Sequence, residues 1–240
     1  MRPFFKYPGS KHQAAKHYPK PEHSRIIEPF AGSACYSTRY AEKQVILVEK
    51  DPEIATLWGY LIHANTTAVR NLPTQLDPGI DIRSLGLEYG AALLIRQWQR
   101  VGRNDCWTVS KWCGANSGFW CEATRNAIAD QVQYIRHWRI FCGDALSWFD
   151  TRREPSTWFV DPPYVGKPFY KEKFSEHEAL GKLCQGMDPE RHQVIVCEAG
   201  EASWLPFRDF RRQVTGRRGA ATGSKEKSRE LVWSNDPRRP

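Results

Sequence analysis

Gln44-Val45-Ile46-Leu47-Val48-Glu49-Lys50-Asp51-Pro52-Glu53 is a continuous apolar run that turns over into a helix start. A β-branched run without polar alternation reads as a strand covered on both faces. Asp51 then suits an N-cap, and Pro52 suits the first helical turn. Ile54, Leu57, Trp58 and Leu61 follow at the spacing of one helix face. Upstream, Arg25-Ile26-Ile27-Glu28 is a second short strand, closed by Pro29. The small-residue turn Phe30-Ala31-Gly32-Ser33-Ala34 comes next, and residues 35–43 have helical spacing. Two successive βα units predict an α/β, Rossmann-like doubly wound sheet.

The pattern changes after residue 64 and resumes at residue 139. Residues 66–78 read as loop, and residues 89–101 and 123–138 have helical apolar spacing. Between those helices, residues 106–112 and 119–121 flank a turn rich in Gly and Asn, which predicts a β-hairpin. Five tryptophans, Trp98, Trp107, Trp112, Trp120 and Trp138, fall here and are expected to pack a small, mostly helical unit. Strands then recur at residues 139–142, 157–160 and 193–197. The expected organisation is a catalytic domain of residues 1–64 and 139–240, with an insertion at 65–138.

The net charge of +8 suits a polyanionic partner. Residues 208–229 carry eight Lys/Arg against Asp209 and Glu226, a net charge of +6. Their Gly-rich middle, residues 216–223, is expected to form a mobile hairpin loop. The seven cysteines contain no Cys-x-x-Cys pair, so no metal is expected. The first residues lack an apolar signal core, and no apolar run reaches about eighteen residues. A cytoplasmic protein, from a prokaryotic cell or a phage, with no membrane contact is the expectation; monomer and dimer remain equally open.

Ligands of doubly wound sheets bind at the carboxyl ends of the strands. Gly32 lets backbone approach a ligand closely. Glu49 is placed to accept from ribose hydroxyls, and Asp144 from an adenine amine. The most specific signal is Asp161-Pro162-Pro163-Tyr164 after an apolar strand. Two prolines fix the backbone and remove two N–H donors. The Asp161 carboxylate and the Pro162 carbonyl are then acceptors for both hydrogens of an exocyclic amine. Tyr164 offers a π face for an extruded base.

In motif order the chain resembles the Dam-type (alpha-group) DNA adenine methyltransferases, whose DPPY motif stands here at residues 161–164. Residues 4–11 resemble that family's N-terminal cofactor motif, and the resemblance assigns cofactor contacts to Tyr7 and Lys11. Residues 28–34 resemble its Glu-Pro-Phe-x-Gly-x-Gly loop, which implies cofactor contacts from Glu28, Pro29, Phe30, Ala31, Gly32 and Ser33. Glu49 with Lys50 resembles the ribose-binding strand end; Asp144 with Ala145, and Asp161, complete the implied cofactor set. Residues 170–174 and 223–231 resemble the segments that follow the motif and close the domain. Ala34 stands where the family carries its second glycine, Ser10 replaces a glycine, and Glu198 follows a strand where Asn is common.

The resemblance implies transfer of a methyl group from S-adenosylmethionine to the N-6 amine of an adenine flipped out of duplex DNA, leaving S-adenosylhomocysteine. Asp161, Pro162, Pro163 and Tyr164 are the expected catalytic residues. Lys111 and Asn116 are expected at base edges, and Arg217, Arg218, Lys225 and Lys227 at phosphates. Methylation of a cytosine amine needs the same two acceptors, but such enzymes more often carry Ser at the first position. RNA methyltransferases more often carry Asn there. A DNA-binding regulator that retains the fold without catalysis is the reading from another class.

Overall fold

The computed structural model describes residues 1–99, 106–115, 118–149, 154–165, 174–200, 202–210 and 230–236. Seven strands form one sheet: β1 (Arg25–Glu28), β2 (Gln44–Glu49), β3 (Arg139–Cys142), β4 (Ser156–Val160), β5 (His192–Ala199), β6 (Arg208–Asp209) and β7 (Glu230–Ser234). Their order is β3-β2-β1-β4-β5-β7-β6. The first five in this order are parallel, and β7 runs antiparallel to both β5 and β6. The chain therefore winds one way from β1 to β3 and the other way from β4 to β5. The switch point lies between β1 and β4, where such sheets open a crevice.

Successive strand residues supply opposite faces, as the pleat demands. Ile26, Phe159, Ile195 and Cys197 join one apolar cluster, while Ile27, Trp158, Val160, Val194 and Val196 join another. Burial on both faces is why β4 and β5 read as unbroken apolar runs.

Helices α1 (Pro52–His63), α2 (Thr66–Arg70), α3 (Tyr89–Gln99), α4 (Glu122–Gln131), α5 (Ala145–Trp148) and α6 (His177–Gln185) complete the described elements, with short 3-10 turns. Asp51 caps α1 by accepting from the Glu53 amide at 2.9 Å. α3 lies against α1, and α4 lies against α2. Leu93, Leu94, Ile128 and Val132 share one apolar cluster with Ile26, Leu47 and Trp58, so residues 65–138 pack directly onto one side of the sheet.

Three local expectations are corrected. Residues 35–43 form only a 3-10 turn at Ser37–Arg39, because the chain must return quickly to β2. Residues 66–78 begin with α2, capped by the Asn65 side chain on the Ala68 amide at 2.8 Å. The hairpin expected within 106–121 does not form among the described residues. Instead Trp107 and Val109 exchange backbone hydrogen bonds with Gly79, Ile80 and Ile82, around an antiparallel bridge between Asp81 and Thr108. The segment 106–110 does pair, through a single bridge, but its partner lies about thirty residues upstream, across α3. Residues 111–115 turn, and the Gly114 amide donates to the Trp120 carbonyl at 2.7 Å.

Candidate active site

A cleft opens at the carboxyl ends of β1, β2, β3 and β4, at the switch point. It is lined by Tyr7, Lys11, Glu28, Pro29, Phe30, Ala31, Gly32, Ser33, Glu49, Lys50, Asp144, Ala145 and Asp161, every residue assigned to the cofactor from the sequence. Ser10, Cys35, Phe159 and Phe174 also line it. Of the four residues of the 161–164 motif, Asp161 and Pro163 reach the cleft.

The loop after β1 is held tightly. Gly32 has φ +44°, and a Cβ there would meet the Tyr7 ring at 3.1 Å. Its carbonyl accepts from Trp58 Nε1 at 2.8 Å, and its amide donates to Glu49 Oε2 at 2.9 Å. Glycine is required here for the backbone angle and for the ring, so the close approach is by Tyr7. Ala34 also sits in the left-handed region, at φ 43°. That is the conformation a glycine would adopt freely, and it costs alanine about 1–2 kcal/mol.

Glu49 is buried and spends one oxygen on Gly32 and the other on the Asp51 amide at 3.0 Å. The carboxylate ends β2 at the cleft wall. Burial raises its pKa, opposed by those amides. Asp144 caps α5 on the Leu146 amide at 2.8 Å and meets Lys50 Nζ at 3.3 Å. Both partners of that ion pair are exposed, so it contributes little stability. Glu28 is buried at the end of β1 and accepts from the Ser37 amide at 2.7 Å. Burial pushes its carboxyl up to about 8, with the Ser37 hydrogen bonds opposing.

The turn after β4 meets a charged cluster. Lys11 Nζ stands 3.4 Å from Asp161 Oδ1 and 3.1 Å from Glu230 Oε1. It also donates to the Tyr164 hydroxyl and lies over the Tyr164 ring, 4.2 Å from the centroid. Burial acts to lower the Lys11 pKa, but Asp161 and Glu230 outweigh it and hold the ammonium above the usual lysine range. Burial pushes Asp161 up to about 6; Lys11 opposes this and Glu230 adds to it. Burial, then Asp161 and Glu230, keep the Tyr164 phenol protonated well above its ordinary range. The Tyr164 hydroxyl turns inward to Glu230 at 3.3 Å, and Lys11 covers one ring face.

His177 and Glu198 brace the turn from behind. His177, from α6, meets the Pro163 carbonyl through Nε2 at 2.9 Å. Fully buried Glu198 accepts from Trp204 Nε1 and from the Ala199 amide, each at 2.9 Å. Its Oε2 stands 3.9 Å from His177 Nε2. Glu230 and Tyr18 were missed as site residues from the sequence. An acid opening the apolar strand Leu231-Val232-Trp233 was a usable signal for Glu230; Tyr18 carried none.

Lys111 is exposed, with Nζ 5.2 Å from the Trp112 ring centroid. Asn116, Arg217, Arg218, Lys225 and Lys227 lie outside the described residues. Trp120 and Trp138 are packed as expected, but Trp112 is 46% exposed and stacks on Phe119. Among the described residues no cluster of His, Cys, Asp and Glu could hold a metal, and no helix is long and apolar enough to cross a membrane.

Against known proteins, no family model and no curated protein matches the chain. Solved structures do match. The rRNA methyltransferase AviRa from Streptomyces viridochromogenes aligns over 95% of this chain and 86% of its own, at 13% identity and a TM-score of 0.50. The yhhF protein from Escherichia coli aligns over 96% of this chain and 90% of its own, at 13% identity and a TM-score of 0.40. At such identities the likeness is one of fold. Sheet order, antiparallel β7 and the strand-end cleft define a Rossmann-like fold of the methyltransferase type.

Proposed function

We propose that this chain is a DNA adenine methyltransferase that transfers the methyl group of S-adenosylmethionine to the N-6 amine of an adenine rotated out of the duplex. The observation that carries the reading is the shared cleft. The loop after β1, the acids after β2 and β3, and Asp161 after β4 all face one space. Apolar Phe30 and Ala31 beside the acids Glu49 and Asp144 fit a nucleoside: apolar walls take the ring, and acids take its hydroxyls and amine. When bound, the cofactor supplies a methyl group on a sulfonium, an electrophile needing no metal.

The chain's own residues position the acceptor. Asp161 and the Pro162 carbonyl accept the two hydrogens of the adenine amine, which frees its lone pair for attack. Tyr164, next to the cleft-lining Pro163, is the ring offered for stacking on the base. The amine proton is lost after methylation, so no strong base is required. Catalysis here is orientation and electrostatics. The +8 net charge, the exposed Trp112 and Lys111, and the basic segment 208–229 support a nucleic-acid partner.

The test is methyl transfer from labelled cofactor to duplex DNA, with RNA and protein as parallel acceptors. Label should enter DNA and be recovered as N-6-methyladenine. Asp161→Ala should abolish transfer while cofactor affinity stays within a few-fold. Label found only in cytosine, only in RNA, or undiminished by Asp161→Ala would overturn the reading. DNA binding without any transfer would make the chain a regulator.

A further inference from the structure

The turn after β4 holds two carboxylates for one ammonium. Asp161 is the outer one, 21% exposed at the cleft, and Glu230 is the inner one, 5% exposed. Lys11 is closer to the inner carboxylate, at 3.1 Å against 3.4 Å. Glu230 Oε1 also accepts from the Tyr164 hydroxyl at 3.3 Å and from the Tyr18 hydroxyl. The residue on which three donors converge belongs neither to the β4 turn nor to the cleft wall.

We propose that Glu230 is a positioning residue that shares the Lys11 ammonium with Asp161 and anchors Tyr164, so that the cleft-facing Asp161 carboxylate is only partly engaged and keeps lone pairs for the hydrogens of the substrate amine. The proposal rests on the function given above. Its physical core is competition. An ammonium with one carboxylate in reach gives it a full ion pair and weakens it as an acceptor. With a second, better-buried carboxylate behind it, the same ammonium is shared. The cluster of Lys11, Asp161 and Glu230 then carries one excess negative charge, which disfavours full ionisation of Asp161 and keeps it basic.

The titratable groups that bear on Asp161 come from several elements. Lys11 precedes β1, Glu230 opens β7, and Tyr164 shares its turn. Glu28 ends β1 and Cys35 follows it; Tyr18 and Cys197 stand behind. Of these only Lys11 is cationic, so its placement governs the outer carboxylate.

The experiment is a ¹³C-carboxyl titration of Asp161 in the whole protein without substrate, for wild type, Glu230→Gln and Glu230→Asp. In Glu230→Gln the ammonium has only Asp161 left, so the Asp161 midpoint should fall by about one pH unit. Glu230→Asp should restore most of it. Where methyl transfer is measured, Glu230→Gln should lower kcat by about tenfold to a hundredfold, as for a mispositioned acceptor. The acid limb should move to lower pH with unchanged cofactor affinity. Lys11→Gln probes the same coupling from the other side, and there the Asp161 midpoint must rise. An Asp161 midpoint unmoved in the foldable variants overturns the proposal. So does a Glu230→Gln rate loss that merely follows its loss of melting temperature. The titration needs no activity: a wild type that methylates nothing removes the proposed function, while the Glu230–Asp161 coupling is still read directly.

Discussion

At the residue scale, the site depends on acids that burial keeps from ionising easily. In the proposed reaction Asp161 accepts from an amine, which a carboxylate does better than a neutral acid, and burial pushes its pKa up to about 6. Methyl transfer should therefore fall as pH drops through about 6, because protonation replaces an acceptor lone pair with a donor. A rate independent of pH from 5 to 8 would remove Asp161 from that role. Glu28 gives a separate signature. Its carboxyl, raised from 4.5 to about 8, keeps its proton in the folded state after the unfolded chain has lost it. The resulting stability is fully present below pH 4.5 and lost as pH rises through about 8. Glu28→Gln keeps an acceptor for the Ser37 amide and removes the titration. Its melting temperature should overtake that of wild type as pH rises across that window. Parallel curves would mean that Glu28 ionises as easily folded as unfolded.

At the element scale, strand ends and one tight helix crossing hold the cleft in shape. α1 follows the strand that delivers Glu49, and Trp58 on α1 bonds the Gly32 carbonyl. α3 supports α1 from behind. A Cβ at Gly90 would stand 2.3 Å from the Tyr60 Cβ, so the helices touch almost backbone to backbone. Gly90→Ala should destabilise the fold by about 1–3 kcal/mol through overpacking, in spite of alanine's better helix propensity. Chemical denaturation measures this, and an unchanged midpoint would show that α1 and α3 separate freely. The hairpin expectation is instructive at this scale. The segment 106–110 was rightly expected to pair. The Gly- and Asn-rich turn beside it suggested a local partner, while the hydrogen bonds went to residues 79–82. Periodicity reports that a strand exists and says nothing about its neighbour.

At the scale of the whole molecule, charge and fold act together. A surface with a net charge of +8 attracts a polyanion at long range, and affinity should depend steeply on salt. With about three phosphates contacted, a fourfold rise in salt should weaken DNA binding about fortyfold. Fluorescence anisotropy on one duplex across a salt series checks this. An affinity indifferent to salt would put DNA binding, and with it the proposed substrate, in contradiction. Lys111→Ala should lower the slope by about one if that residue meets a phosphate, and leave the slope alone if it meets a base edge.

Much of this molecule was legible along the chain, for a physical reason. Strands β1, β2, β4 and β5 are buried on both faces, so their apolar runs are local, and strand-end acids follow each run directly. The sheet class, Gly32, Glu49, Asp144 and the 161–164 motif could therefore be read from the strand ends, whereas Tyr7, Lys11 and the rest of the cleft set came from the resemblance in motif order. What only the tertiary structure decided is whatever depends on distant segments meeting. It paired 106–110 with 79–82 and turned the Tyr164 hydroxyl inward. It also brought Glu230, 69 positions beyond Asp161, within reach of the same ammonium. Asp161-Pro162-Pro163-Tyr164 declares an acceptor in its own four letters. How basic that acceptor is depends on a charge that arrives from the far end of the chain, and no local pattern encodes a Coulomb interaction across the fold.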